Sequence, residues 1–242
     1  MATTATLSAR PKPALKRLMW IGMIVLCVIA AAVVIRRIIA LESPPKSVPA
    51  QLAGLDQAFA AKKPLTLTHI IPGLAFVILV PFQLSRTWRA RHLRAHRWTG
   101  RIVMILGLII GISALAMSTH PIGGAIEASA TIFFDVFFLF ALTKAYIHIR
   151  RREIALHREW VIRAMAIALG IATVRPVMGF FFATSRFTGL TPHQFFGIAF
   201  WIGFSATYFA GELWLRNTRP PARPEPTPLS PRTIKLDRKT MQ

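Results

Sequence analysis

Two stretches of this sequence place histidine, arginine and tryptophan together just before a long apolar run. Residues 96–101 read HRWTGR, and residues 157–163 read HREWVIR. Arginine and tryptophan at such a boundary anchor a helix at the membrane surface, while an imidazole there can also bind a metal or carry protons. The two stretches, called the His-Arg hinges, are therefore either anchors or sites of chemistry.

A b-type haem is the cofactor that these residue types best match, because it needs two neutral imidazoles from different helices. Three of the seven histidines fall near one predicted boundary and four near the other. The candidate iron ligands are His69, His120, His96 and His157. Arginines pair with carboxylates such as haem propionates, and the candidates are Arg97, Arg158 and Arg175. The alternative is that these histidines are ordinary amphipathic residues of the interface.

Asp135 and Arg175 are ionisable residues inside apolar runs, where an unpaired charge is costly. Each lies about nine residues from the outer end of its run, or roughly 13 Å deep at 1.5 Å per residue. This match predicts an Asp135–Arg175 ion pair or a water-bridged equivalent. Such a pair would specify the fold without taking part in chemistry. The alternative is that Arg175 holds an anionic group of a cofactor or a substrate. Pro176 predicts a local helix break beside it.

Trp98, Trp160 and Glu212 are predicted interface residues at the inner boundary. Glu212 lies near the inner end of the last apolar run, where it could meet Arg101 or Arg163. Trp98 and Trp160 are typical of the aromatic belt at a membrane surface.

The apolar runs that carry these residues predict an all-α, polytopic membrane helical bundle. The 242-residue chain is 54% hydrophobic and only 16% charged, whereas soluble domains carry about 25% charged residues. Six runs approach the roughly 20 residues needed to cross a bilayer. They cover residues 18–35, 66–84, 100–119, 126–147, 160–184 and 193–215.

The distribution of basic residues predicts the orientation. With the N-terminus inside, most lysines and arginines lie on inner segments, as expected for cytoplasmic loops. Arg36 and Arg37 lie outside and argue mildly against this. The chain divides into an N-tail (1–17), an anchor helix (18–41), an external segment (42–65), a five-helix core (66–215) and a basic, proline-rich, disordered tail (216–242). In the external segment, Leu52, Leu55 and Phe59 favour a short interfacial helix, with an irregular loop as the alternative.

The two hinges lie 61 residues apart, and each follows an outside-to-inside run and precedes an inside-to-outside run. The second and third spans therefore form one hairpin, and the fourth and fifth form a similar one. A parallel repeat is one explanation. Repeated use of the same boundary chemistry is the other.

Several classes of function are disfavoured. The net charge of +21 clusters between apolar runs, which indicates topology and attraction to anionic lipid headgroups rather than nucleic acid binding. Cys27 is the only cysteine, so an intramolecular disulfide and a cysteine metal site are excluded. The common catalytic motifs are absent.

From residue 68 to residue 215 the sequence resembles a prokaryotic family of predicted membrane proteins of the domain of unknown function 2306 type. The resemblance rests on His69 with Pro72-Gly73, residues 81–84 (PFQL), both hinges, residues 173–175 (TVR) and residues 212–214 (ELW). It implies a membrane protein with six helices and implies no activity. The distribution of lysine and arginine, and not the resemblance, predicts an inner-membrane protein with both termini cytoplasmic. Its layout is similar to that of di-haem membrane cytochromes, which is a fold-level analogy.

Three functions remain open. The first is a b-type haem-binding electron-transfer protein, which as an enzyme would be a membrane oxidoreductase component. The second is a small-molecule transporter or binder that uses the polar site at Asp135 and Arg175. The third is a structural membrane protein whose basic faces bind anionic lipid or a partner subunit. The sequence identifies no redox partner and does not fix whether the protein forms a homo-oligomer.

Overall fold

The computed structural model describes residues 13–43 and 50–218, and within them the protein is entirely helical. The predicted all-α class is confirmed. The predicted cytoplasmic tails lie mostly outside these residues. The helices are α1 (Pro13–Glu42), α2 (Ala50–Ala60), α3 (Lys63–Leu84), α4 (Arg86–Arg91), α5 (Leu93–Ser118), α6 (Gly124–Arg150), α7 (Ile154–Thr188) and α8 (Pro192–Thr218).

Five of these helices, α1, α3, α5, α6 and α7, are long and apolar enough to cross a membrane. A helix is the natural form for such segments, because it satisfies every backbone hydrogen bond internally where no water is present. The sixth predicted span corresponds to α8, which has 27 residues but is not among the five. Its apolar residues are interrupted by glycines, hydroxyl groups and Glu212, which lower its mean hydropathy.

The long helices form a ring. Helix α3 packs between α1 and α5, α6 packs between α5 and α7, and α7 closes the ring on α1. Helix α8 lies outside the ring against α6 and α7. Large apolar side chains fill the centre, including Phe76, Leu142 and Ile167, each no more than 2% exposed. Apolar residues on the outward faces, such as Ile105 and Ile112, are exposed, as a lipid-facing surface requires.

The connections give the bundle two polar ends. The predicted cytoplasmic end, called the inner end, holds α4 and the short turn between α6 and α7. The outer end holds α2 and the connections from α5 to α6 and from α7 to α8.

The name hinge suggests a turn between helices, but both His-Arg hinges lie inside helices. His96 lies in the first turn of α5 and His157 in the first turn of α7. The turns themselves lie upstream, and one of them contains Arg152, whose φ of 62° is unusual for a residue other than glycine. Both hinges are therefore held rigidly by a helical backbone.

The external segment contains a helix, α2, rather than only an irregular loop. Leu55 is buried against the outer end of α7 and α8, and Phe59 lies beneath the guanidinium of Arg37 at 4.1 Å from the ring centre. The side chain of Leu52 lies outside the described part. The apolar face of α2 therefore packs on the protein.

The predicted break at Pro176 is wrong, because α7 is one helix from Ile154 to Thr188. Helix α3 likewise continues through Pro72 and Pro81. Membrane helices tolerate proline where neighbours satisfy the freed carbonyl groups.

Glycines allow α8 to approach its neighbours closely, as small residues do in membrane bundles. A Cβ atom added at Gly203 would lie 2.6 Å from Cγ2 and 2.7 Å from the backbone nitrogen of Val174 on α7. A Cβ atom added at Gly197 would lie 2.6 Å from the backbone nitrogen of Glu127 on α6. The backbone itself blocks a side chain at both positions.

This packing predicts that Gly203→Ala destabilises the protein by about 1–3 kcal/mol, the usual cost of overpacking. The matched control is Gly179→Ala on α7, where an added Cβ atom meets nothing within 4 Å. Thermal unfolding in detergent measures both variants. Equal melting temperatures for the two would contradict the close contact of α7 and α8.

Candidate functional site

The inner end holds both His96, in the first turn of α5, and His157, in the first turn of α7, two of the predicted ligands. The Nδ1–H of His157 donates to the carbonyl oxygen of Ala145 on α6 at 2.8 Å. With Nδ1 used as a donor, Nε2 keeps its lone pair for another partner. His157 is thus oriented by a backbone carbonyl.

His96 has an unsatisfied group. Its Nδ1 is buried and has no hydrogen-bond partner within residues 13–43 and 50–218. The ring lies edge-on to Trp88, with 6.5 Å between ring centres. Buried polar atoms without partners are rare in native proteins, so this nitrogen stands out among the polar atoms of the inner end.

Arginines surround the two histidines. Arg89 and Arg97 act electrostatically on His96, and Arg89 acts on His157. Arg158 is partly buried and donates from Nη2 to Oγ1 of Thr218 at 2.5 Å. The sequence analysis did not single out Arg89, because α4 was not predicted.

Gln83 fixes the start of α5. Its Nε2 donates to Oγ1 of Thr99 at 2.5 Å and to the carbonyl oxygen of His96 at 3.4 Å. Gln83 is itself buried. The first turn of α5, and with it His96, is therefore tied to the end of α3.

The predicted interface residues lie at the rim of the inner end. Trp98 is 65% exposed, with the Arg101 guanidinium 4.8 Å from its ring centre. Of the two partners considered for Glu212, the structure has Arg163, whose Nε donates to Oε1 of Glu212 at 2.6 Å. Trp160 lies under the same guanidinium at 4.9 Å. This network joins α7 to α8.

The outer histidines are more scattered. His69 is partly buried, and its Nδ1–H donates to the carbonyl oxygen of Ile110 at 3.2 Å and to Oγ of Ser113 at 3.0 Å. These contacts tie α3 to α5. His120 lies after the end of α5 and forms a 2.7 Å hydrogen bond with Thr119. Neither histidine pairs with another histidine among the contacts of the described residues.

The prediction of a direct Asp135–Arg175 ion pair is wrong, since no such pair exists in the described part of the chain. The short turn from α6 to α7 sets the register of the two helices. Asp135 lies 15 residues from the inner end of α6 at Arg150, whereas Arg175 lies 21 residues from the start of α7 at Ile154. The difference of six residues separates them by about 9 Å along the axis. Counting depth from the outer ends failed because α7 is longer than α6.

Each of the two residues has its own surroundings. Asp135 is buried on the interior face of α6, and its Oδ2 has no hydrogen-bond partner among described residues. Arg175 lies nearer the outer end, where Glu127 attracts its charge and Arg37 and Arg36 repel it. The water-bridged alternative remains a prediction. Of the phenylalanines near Asp135, Phe134 stacks on Phe204 of α8 at 5.1 Å, and Phe138 lies edge-on to Phe76 of α3.

A charged clamp at the outer end was missed by the sequence analysis. Arg36 donates to both oxygens of Asp56 at 2.5 and 2.6 Å, and Arg37 binds the same carboxylate. The hydrogen bond from Arg36 holds the pKa of Asp56 below its ordinary value. The carboxylate therefore stays ionised at neutral pH and fastens α2 to α1.

A small cleft of about 50 Å³ lies beside this clamp. It is lined by Ala58, Phe59, Lys62, Thr66, Met117, His120 and Ile122.

Five long apolar helices, with charges gathered at the ends of the bundle, define a multi-pass helical membrane protein. The chain belongs to the family described as predicted membrane protein DUF2306, whose model matches residues 66–215, more than half of the sequence. The match covers most of α3 to α8 and contains the four candidate ligands His69, His96, His120 and His157. No curated protein and no solved structure matches the chain.

No group of three or more histidine, cysteine, aspartate or glutamate side chains in the described residues is placed to hold a bare metal ion. A haem needs only two protein ligands, because its porphyrin supplies the other four. His96 and His157 are two such candidate ligands, on different helices at the same end of the bundle.

Proposed function

We propose that this protein is a b-type haem-binding electron-transfer protein with His96 and His157 as the axial ligands. The observation that carries the proposal is the unpartnered, buried Nδ1 of His96 at the start of α5, at the same end of the bundle as the oriented imidazole of His157 on α7. Two imidazoles from different helices are what a six-coordinate haem iron takes from its protein.

The surroundings of His157 support the proposal. Histidines that bind a metal usually donate their other ring N–H to a carbonyl or carboxylate, which fixes the tautomer and raises the basicity of the ligand. The hydrogen bond from His157 to the Ala145 carbonyl has this form. His157 can therefore offer Nε2 without losing its contact to α6.

The arginines of the inner end suit the two propionates of a haem. Arg89 and Arg97 lie near His96, and Arg158 lies beside His157 in sequence and is partly buried. Guanidinium groups bind carboxylates through two parallel hydrogen bonds. The same positive charge would otherwise attract the phosphates of anionic lipid headgroups.

His69 is the candidate ligand for a haem at the outer end. Its Nδ1–H is also bound to a backbone carbonyl, that of Ile110, which leaves Nε2 available. His120 at the end of α5 is the second outer candidate. A di-haem protein would have one haem near each face and could pass electrons across the bilayer as a membrane oxidoreductase component.

A binder or transporter of a small molecule is the second candidate function. It is supported by Asp135, whose Oδ2 is buried on the interior face of α6 without a partner. A substrate with a hydrogen-bond donor or a positive charge would satisfy that oxygen. Arg175 lies too far along the axis to share this site directly.

The six-span topology is part of the proposal, with α8 as the sixth span, two similar hairpins, an inner-membrane location and both termini in the cytoplasm. Helix α8 has 27 residues and is about 40 Å long at 1.5 Å per residue, which exceeds the roughly 30 Å hydrocarbon core. Its contacts with α6 and α7 give its polar groups protein partners instead of lipid.

The haem proposal predicts that the purified protein is red, with a Soret band and bands typical of reduced b-type haem. His96→Ala and His157→Ala should each lower the haem content at least severalfold, since each removes an axial ligand. His92→Ala is the matched control, because His92 is an exposed histidine of the same end. A folded wild-type protein that stays colourless after expression with a haem precursor would refute the proposal.

The topology predicts the position of reporters fused to the chain. With six spans both termini lie on the same side, so fluorescent protein at either terminus should be active and periplasmic alkaline phosphatase inactive. Phosphatase inserted at Gly189, between α7 and α8, should be active. Opposite sides for the two termini would mean that α8 does not cross the membrane.

A further inference from the structure

Asp135 is an acidic side chain in the interior of the bundle that the haem proposal does not use. It is only 9% exposed, and its Oδ2 is buried without a hydrogen-bond partner among residues 13–43 and 50–218. Within the same residues no cation forms an ion pair with it. Helix α6, which carries it, is one of the five helices long and apolar enough to cross a membrane. Its carboxyl group therefore lies away from solvent without a countercharge from the described part of the protein.

The face of α6 that carries Asp135 packs against apolar parts of two other helices. Phe138 and Leu139 follow Asp135 at the i+3 and i+4 positions, which lie on the same side of a helix. Phe138 lies edge-on to Phe76 of α3, with 6.2 Å between ring centres. Leu139 lies against Gly111 of α5, where an added Cβ atom would be 2.5 Å from its Cδ2. Asp135 thus shares its face with core side chains.

Two of the helices packed against α6 carry their charges away from Asp135. Helix α5 has no ionisable side chain after Arg101, and α7 has none between Arg163 and Arg175. Arg163 donates to Glu212 at 2.6 Å. Arg175 is displaced from Asp135 by about 9 Å along the axis. Neither helix therefore brings a free cation to the carboxyl group.

The remaining neighbours add one phenol and one imidazole. The ionisable side chain in the middle of α8 is Tyr208, whose ring lies 5.3 Å from that of Phe137. On α3, His69 uses Nδ1 for its bonds to α5. The nearest ionisable side chains on α6 itself are Glu127, eight residues before Asp135, and Lys144, nine residues after it. Such spacings correspond to about 12–14 Å along a helix.

An ionised carboxylate at this position would be an unpaired charge in apolar surroundings. A buried acid without a partner takes up a proton instead, because the neutral group costs far less to bury. We propose that Asp135 is a proton-binding site inside the membrane bundle, whose carboxyl group carries a proton at neutral pH. Acids within membrane helices are found in proton relays and transport sites.

This site has a consequence for any ligand that reaches it. A positively charged ligand can bind the carboxylate of Asp135 only after the proton has left, so one proton is released for each positive charge bound. The proposal depends on neither candidate function above, because the proton is held whether or not haem or a small molecule binds elsewhere.

The test uses the small number of aspartates in the chain, which are Asp56, Asp135 and Asp237. Infrared spectra are recorded at pH 7 on the full-length protein in lipid, with ¹³C in the aspartate carboxyl groups to identify their bands. One labelled band of a protonated carboxyl group is expected, and Asp135→Asn should remove it. Asp56→Asn is the matched control and should keep the band, because Arg36 and Arg37 hold Asp56 as a carboxylate.

A second variant assigns the band without a change at the site. In the double variant Asp56→Asn with Asp237→Asn, Asp135 is the last aspartate, and the labelled band of a protonated group should remain. A folded wild type that shows only carboxylate bands at pH 7 overturns the proposal, since Asp135 is then ionised and paired with some cation. A band that Asp135→Asn retains overturns it as well.

Thermal unfolding against pH gives an independent readout. Ionisation of Asp135 would leave an unpaired charge in the bundle, so the melting temperature of the wild type should fall as the pH rises above neutral. Asp135→Asn keeps the shape of the neutral acid and cannot ionise, so its melting temperature should fall less. Identical pH profiles for the two proteins would contradict a proton bound at this carboxyl group.

Discussion

The lack of water in the bilayer core is the constraint on which this structure depends. Backbone groups in the core must bond within helices, which accounts for five long apolar helices and their ring. Polar side chains therefore lie at the ends of the bundle or face its interior. Asp135 is turned inwards on α6, while arginine, histidine and tryptophan gather where the helices leave the core.

The charged residues at the two ends of the bundle have different surroundings. At the inner end, arginines accumulate around His96 and His157 with few acids, and Gln83 and the Ala145 carbonyl hold the surrounding elements in place. At the outer end, Asp56 draws Arg36 and Arg37 together and fastens α2 over the bundle. The arginines of the inner end are the physical basis for proposing a haem there, because guanidinium groups bind carboxylates such as its propionates.

Hydrophobic length and boundary chemistry made the helical class predictable, and the five apolar spans followed from the runs alone. Details that depend on packing were not predictable. The register of α6 and α7 is set by the turn near Arg152, so depth counted from the outer ends wrongly paired Asp135 with Arg175. The clamp on Asp56 joins residues about 20 positions apart in the sequence. The signal for it was the position of Arg36 and Arg37 on the predicted outer side, where few basic residues are expected. Helix α4 was missed because Arg86–Arg91 has no apolar periodicity, and it supplies Arg89.

The central claim is that two imidazoles from α5 and α7 complete the coordination of one iron. Electron paramagnetic resonance of the oxidised, purified protein tests this most directly, because the signal of ferric haem reports its axial ligands. Two axial imidazoles give a low-spin signal, and loss of His157 should convert it to a high-spin one. A wild-type signal that is high-spin, or a protein without iron, would contradict the account.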